Sequence, residues 1–155
     1  MSRGGAIVEW IVERATAALC SVQLGVCEQA LKMTAEYTST REQFERPLAA
    51  FQAVAQRAAD AYIDTEGVRL TAWQAVWRLA EGLPAANELA VAKFWAAEGG
   101  QRVVHAAQHL HGGIGVDRDY PLHRYFLWAK ELELTLGGAT PQLLKLGEIL
   151  AAEPA

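Results

Sequence analysis

Apolar residues recur along this chain at three- and four-residue steps and almost nowhere in alternation, which predicts long helices and no strand of useful length. In the first quarter, Ile7, Ile11, Ala15, Leu19, Val22, Val26, Ala30, Met33 and Tyr37 form one stripe, and Cys20, Leu24, Cys27 and Leu31 form a second on another face. The pattern predicts one helix over residues 7–38. A helix apolar on two faces needs two partners, its own bundle for one and a neighbouring subunit for the other. Phe51, Val54, Ala58, Tyr62, Thr65, Val68, Ala72, Val76 and Leu79 predict a second helix over 48–81, with Leu70, Trp73 and Trp77 as a bulky flank. The third, over 85–110, is rich in small residues (Ala90, Ala96, Ala97, Gly99, Gly100, Ala106, Ala107) that let helices approach closely. A fourth begins near Pro121 and is interrupted at Gly137-Gly138. Thr140-Pro141 then reads as an N-cap followed by proline at the first helical position, opening a short terminal helix. Such helices on short connections predict an all-α, up-down four-helix bundle over residues 7–150, after a weakly structured lead-in over 1–6.

Composition narrows the function. A chain of 155 residues with 52% hydrophobic and 21% charged residues is one globular domain. A net charge of −4 and the absence of any Lys/Arg block give no case for nucleic acid. No apolar run approaches the ~18 residues of a membrane span, and no signal-peptide pattern opens the chain. Cys20 and Cys27 sit two turns apart on one helix, ~10 Å, too far for a disulfide. Reduced thiols on a packing face and a cytoplasmic location follow as expectations. His105 and His109 share a helix face at metal-pair spacing, but position 106 is alanine and no third ligand is evident, so no metal site is expected. His123 reads as structural.

Two segments between helices carry the candidate chemistry. Tyr37-Thr38-Ser39-Thr40-Arg41-Glu42-Gln43-Phe44-Glu45-Arg46-Pro47 gathers two guanidinium groups, hydroxyls and an amide around one aromatic ring. Guanidinium meets two anionic oxygens at once in planar geometry, which suits a diphosphate. From spacing alone the segment also reads as a polar connector whose arginines pair with Glu42 and Glu45. The second segment is Gln108-His109-Leu110-His111-Gly112-Gly113-Ile114-Gly115. Its glycines can adopt positive φ and turn backbone N–H groups toward an anion, although alone they are equally a helix stop.

Taken together and in this order, the segments resemble the carboxy-terminal helical domain of the flavin-dependent acyl-CoA dehydrogenases. The family pattern, roughly Thr-Arg-x-Gln-Phe-Gly-x-Pro followed by Phe-Gln, stands here as Thr40-Arg41-Glu42-Gln43-Phe44-Glu45-Arg46-Pro47 and then Phe51-Gln52, with Glu45 in place of glycine. The resemblance implies FAD as cofactor, an acyl-CoA thioester as substrate of the complete enzyme, and a homo- or hetero-oligomer. It implies that Arg41, Gln43, Phe44 and Gln52 contact the FAD of an adjacent subunit, with Gly112 and Gly113 nearby. A glutamine usually precedes the glycines by three residues. Here that place holds His109, and Gln108, one position earlier, is rotated by ~100°. Trp128-Ala129-Lys130 departs from the usual Arg-Asp-Ala-Lys by losing both charges before the alanine.

The same resemblance exposes a gap. Desaturation needs a carboxylate over the substrate α-carbon, and the usual register gives Leu136, before Gly137-Gly138-Ala139-Thr140. The alternative position on the first helix gives Ala15, and Glu13 lies two residues off, ~200° around. No catalytic residue is therefore assigned. The amino-terminal helical and middle β-domains of the family have no counterpart in these residues, so the chain is expected to be a fragment or a short relative. Two function classes remain: part of an FAD-dependent acyl-CoA dehydrogenase, resembling actinobacterial members acting on bulky steroid side-chain thioesters, or a non-catalytic module that completes a partner's flavin site.

Overall fold

The computed structural model describes residues 3–152, so Met1 and Ser2 of the expected lead-in lie outside the described residues. The rest of that lead-in is helical. Helix α1 spans Arg3–Thr40, four residues earlier than the apolar pattern suggested, because helical hydrogen bonding continues through Gly4 and Gly5 without needing a buried face. It is followed by two short strands, β1 (Glu42–Gln43) and β2 (Arg46–Pro47), and a turn of 3₁₀ helix at Leu48–Ala50. Then come α2 (Gln52–Ala80), α3 (Ala86–His111), a second 3₁₀ turn at Gly112–Val116, α4 (Leu122–Leu134) and α5 (Ala139–Ala152).

The bundle is built around α3, which packs against every other α-helix. Its small residues do what their size predicts: Ala90, Ala96, Ala97, Gly99, Gly100, Ala106 and Ala107 are all buried. Gly100 is the sharpest case. A Cβ there would stand 2.1 Å from Nε2 of Gln23, an α1 side chain only 1% exposed.

Apolar burial occurs in three groups. Ala17, Cys20, Ala72, Ala75, Leu89 and Ala92 fill one region between α1, α2 and α3. Val26, Ala30, Met33, Val104, Leu122 and Leu132 fill another between α1, α3 and α4. Cys27, Ala61, Val103 and Ala106 join the helices between them. Both cysteines are free, and burial pushes each thiol up to about 12, so they stay protonated packing groups.

This corrects the two-partner reading of α1. Cys20, Leu24 and Cys27 belong to the chain's own core, whereas Ile7, Val8, Trp10 and Ile11 in the first turns are each more than half exposed. The division runs along the helix axis rather than around it, because α1 extends past the helices that cover its second half. Thr16, Ser21, Thr34 and Thr38 occur along α1 without orphaning a hydroxyl, since each donates to the carbonyl four residues back.

The ends of the elements follow local chemistry. Gly82, at φ 67, closes α2: its N–H donates to the Leu79 carbonyl and that of Leu83 to the Arg78 carbonyl, a paired glycine stop. The expected N-cap at Thr140 is displaced. Helix α5 begins one residue earlier, at Ala139, which leaves Pro141 in the first turn, where its missing N–H has no helical acceptor. No residue of α5 is buried, so it lies on the bundle as a short fifth element against α3. Among the described residues no helix is long and apolar enough to cross a membrane.

Candidate functional site

The Arg41 segment is a tight hairpin, where the sequence pattern predicted only a loop. Glu42 pairs with Pro47 and Gln43 with Arg46 in a two-residue antiparallel ladder. Two residues are too few to register as alternation. At the tip Phe44 and Glu45 have φ 54 and 64, two consecutive left-handed residues of the kind a two-residue hairpin turn requires. Glu45 thus occupies a position that favours glycine. The base of the hairpin is closed on both sides: the Arg41 N–H donates to the Tyr37 carbonyl at 2.8 Å, and the Leu48 N–H donates to the Arg41 carbonyl at 2.9 Å.

This backbone turns the segment's side chains outward. Arg41 and Gln52 are exposed, and Phe44 is 86% exposed. Gln43 donates from Nε2 to its neighbour's carbonyl, Glu42 O, at 2.8 Å. Arg46 lies over the Phe51 ring, 3.9 Å from its centroid, and Phe44 meets the same ring edge-on. Neither arginine forms an ion pair with Glu42 or Glu45 among the described residues, so the self-neutralised connector does not form. Arg41 keeps its charge free at the surface.

The second segment is anchored by His111, which sequence reasoning passed over. This imidazole is 3% exposed and stacks on Tyr37 of α1 at 4.5 Å between centroids. Its Nδ1–H donates to the Ala107 carbonyl at 2.7 Å, leaving Nε2 to accept from the Tyr120 hydroxyl at 3.1 Å. Burial holds its pKa below the ordinary histidine value. The stack brings the ends of α1 and α3 together and places both candidate segments at one end of the bundle. Tyr37 and His111 lie on helices far apart in the sequence, and Tyr120 follows His111 across a turn, so no periodicity links the three, which is why the pairing was not legible.

Gly112 has φ 63, and its N–H is spent on the Gln108 and His109 carbonyls, so it caps α3 and does not present that donor to a ligand. Gly113 is exposed with open space around it. Gly115 is required for close approach, since a Cβ would lie 2.9 Å from the Gln108 carbonyl oxygen. His109 and Gln108 separate as the helical rotation demands. His109 borders a cleft of about 270 Å³ with Ala53, Val54, Arg57 and Leu110. Gln108 borders another, of about 490 Å³, with Arg118, His123 and Phe126. Arg57 was not anticipated as a site residue. His105 packs edge-on against Phe126, and His123 binds the Tyr120 carbonyl through Nδ1.

At the opposite end, Leu136 stands in the left-handed region at φ 59, followed by Gly137 at φ 94. Two side chains fix this turn. Gln142 Nε2 donates to the Leu136 carbonyl at 3.0 Å, and the fully buried Lys93 donates from Nζ to the Leu132 and Glu133 carbonyls, both at 3.0 Å. Leu136 borders a cleft of about 330 Å³ together with Glu9, Glu13, Thr16, Gln142 and Lys145. Ala15 is absent from that lining, in keeping with its rotation away from Glu13. Sequence reasoning set Glu13 aside by its offset from Ala15. The structure places it in the cleft that Leu136 borders, half-buried and 3.6 Å from Arg14.

The chain as a whole matches the acyl-CoA dehydrogenase C-terminal domain family over residues 2–150. An all-α bundle with this hairpin and glycine turn defines that class of domain, and the chain belongs to the acyl-CoA dehydrogenase family. Acyl-CoA dehydrogenase FadE27 of Mycobacterium tuberculosis is 52% identical over 98% of this chain and 43% of its own length. Among solved structures, the ChsE4-ChsE5 complex from Mycobacterium tuberculosis is similar at a TM-score of 0.94 and 55% identity, over 97% of this chain and 41% of that one. The Tcur3481-Tcur3483 steroid ACAD G363A variant is similar at a TM-score of 0.88 and 53% identity, over 92% of this chain and 39% of that one. The chain therefore spans less than half the length of these relatives.

Proposed function

We propose that this chain is the C-terminal domain or subunit of an FAD-dependent acyl-CoA dehydrogenase, that it lends the Arg41 hairpin to a flavin diphosphate, and that it does not desaturate thioesters alone. The observation that carries this reading is the hairpin itself: an exposed guanidinium with no ion pair among the described residues, on the same hairpin as an exposed aromatic ring, with the backbone held by hydrogen bonds at its base. That arrangement fits a diphosphate approached from outside, as from another subunit. Arg41 would hold the anionic oxygens, and Phe44 would cover the adjoining face. Gln43 and Gln52 would add neutral hydrogen bonds, and His109 and Gly113 would border the same end. Bound FAD would accept the hydride from the substrate β-carbon.

The chain's own residues do not supply the matching proton acceptor at either familiar position, since Leu136 and Ala15 are apolar. The base would come from a partner subunit. The similar ChsE4-ChsE5 complex and the doubly named Tcur3481-Tcur3483 structure support a hetero-oligomer, and the steroid designation of the latter fits bulky side-chain thioesters as the substrate class. A second reading is favoured by one observation, the presence of Glu13 in the cleft beside Leu136. In that case Glu13 would itself act as the base.

Assay of the chain with FAD, an electron acceptor and acyl-CoAs, with and without a base-bearing partner, separates the two. Turnover only in the mixture is the expected outcome, because loss of a positioned base costs ~10²- to 10⁴-fold. Turnover by the chain alone that Glu13→Gln abolishes would overturn the first reading and establish the second.

A further inference from the structure

The cleft beside His109 contains an arginine that nothing in the bundle neutralises. On α2 and α3 the other surface arginines are engaged: Arg69 by Glu28 and Glu66, Arg78 by Glu88, and Arg102 by Asp64 and Glu98. Arg57 forms no ion pair among the described residues, although it also borders a neighbouring cleft shared with Asp60 and Asp64. Asp64 is already held by Arg102, with Nε 2.8 Å from Oδ2, and Asp60 does not come within ion-pair distance of Arg57. On the other side, Ala53 and Val54 lie one turn before Arg57 on its own helix face. With Leu110 they give the cleft an apolar wall, while His109 closes it from α3.

A free guanidinium, an imidazole and an uncharged wall in a cleft of about 270 Å³ have the composition of a small anion site. Apolar neighbours strengthen such a contact by displacing water from one side of the cation. The cleft begins at Ala53, directly after Gln52, and so adjoins the hairpin's end of α2. Resting on the nucleotide reading above, we propose that Arg57 and His109 form a second anion contact for the same ligand, binding a phosphate oxygen while Arg41 holds the rest of the diphosphate. Arg57 is then a ligand-positioning residue that the family pattern carried over to this chain does not include.

Nuclear magnetic resonance titration of the isotopically labelled full chain with ADP tests this, because it detects millimolar affinities expected of a partial site. Amide shifts at Ala53, Val54 and Leu110 are expected with ADP and not with adenosine. Arg57→Ala should weaken ADP binding about tenfold, as loss of a charge-assisted hydrogen bond does, and Arg57→Lys should restore part of it. If Arg57→Ala leaves ADP affinity unchanged while Arg41→Ala lowers it, the second contact is wrong and the hairpin reading survives. If only Arg57→Ala lowers it, the cleft binds anions and the hairpin reading falls. Absence of ADP-dependent shifts at both places would overturn both.

Discussion

Among the described residues three that are not glycine, Phe44, Glu45 and Leu136, stand in left-handed backbone and mark where this sequence departs from what its own geometry prefers. Glu45 at φ 64 gains no ion pair in return among the described residues. Glu45→Gly should therefore stabilise the chain by about 1 kcal/mol, the ordinary penalty of a left-handed L-residue, readable as a raised thermal midpoint. Gly100 is the opposite case, where a methyl group has no room. Gly100→Ala should destabilise by about 1 to 3 kcal/mol through overpacking against Gln23. The same change in a Gln23→Ala background should cost far less, and denaturant unfolding of the four variants gives the coupling directly. Additive effects would rule out the clash. Among the described residues Gln23 Oε1 has no partner while Nε2 donates to Cys27 Sγ at 3.7 Å, so its amide is poorly repaid for burial.

At the level of elements, the junction of α1, α3 and the Gly112 turn depends on a neutral His111 between Tyr37 and Tyr120. Its pKa is held below the unfolded value near 6.5, so between the two the unfolded chain binds the extra proton. Stability from this junction is fully present above about pH 6.5 and is lost as the pH falls toward the folded pKa. Stability measured by denaturant from pH 7.5 to 5 should decline more steeply than in His111→Phe; equal slopes would remove His111 as the cause. The helices themselves were legible because burial on α2, α3 and the second half of α1 follows a 3.6-residue rhythm. The hairpin was not, for two paired residues carry no rhythm and left-handed φ at Phe44 and Glu45 goes against their propensity. Nor was the Lys93 clamp on the end of α4. A lysine among alanines reads as a surface position until the fold puts the Leu132 and Glu133 carbonyls within 3.0 Å of it. The candidate site at Arg41 rests on resemblance alone, and the proposal for Arg57, outside that pattern, required the cleft.

For the whole molecule, the question is what covers the apolar surface that folding leaves outside. Leu70, Trp73 and Trp77 form a continuous flank of α2 and are 63%, 61% and 55% exposed. The three recur at three- and four-residue steps, so they share one face, and the Arg69 guanidinium lies 5.9 Å from the Trp73 ring. Scattered apolar residues are normal on a surface, whereas a contiguous aromatic stripe of this kind marks an interface. Aromatic side chains bury the most area per residue and are the anchors on which association depends. The chain should therefore associate with itself or with a related subunit through α2. Light scattering at high micromolar concentration should report a species larger than the monomer. Trp73→Glu combined with Trp77→Lys should shift it toward monomer without lowering the thermal midpoint by more than a surface change does, because neither ring contributes to the core groups. A wild-type chain that stays strictly monomeric would contradict the interface. A double variant that unfolds instead of dissociating would show that the tryptophans belong to the bundle.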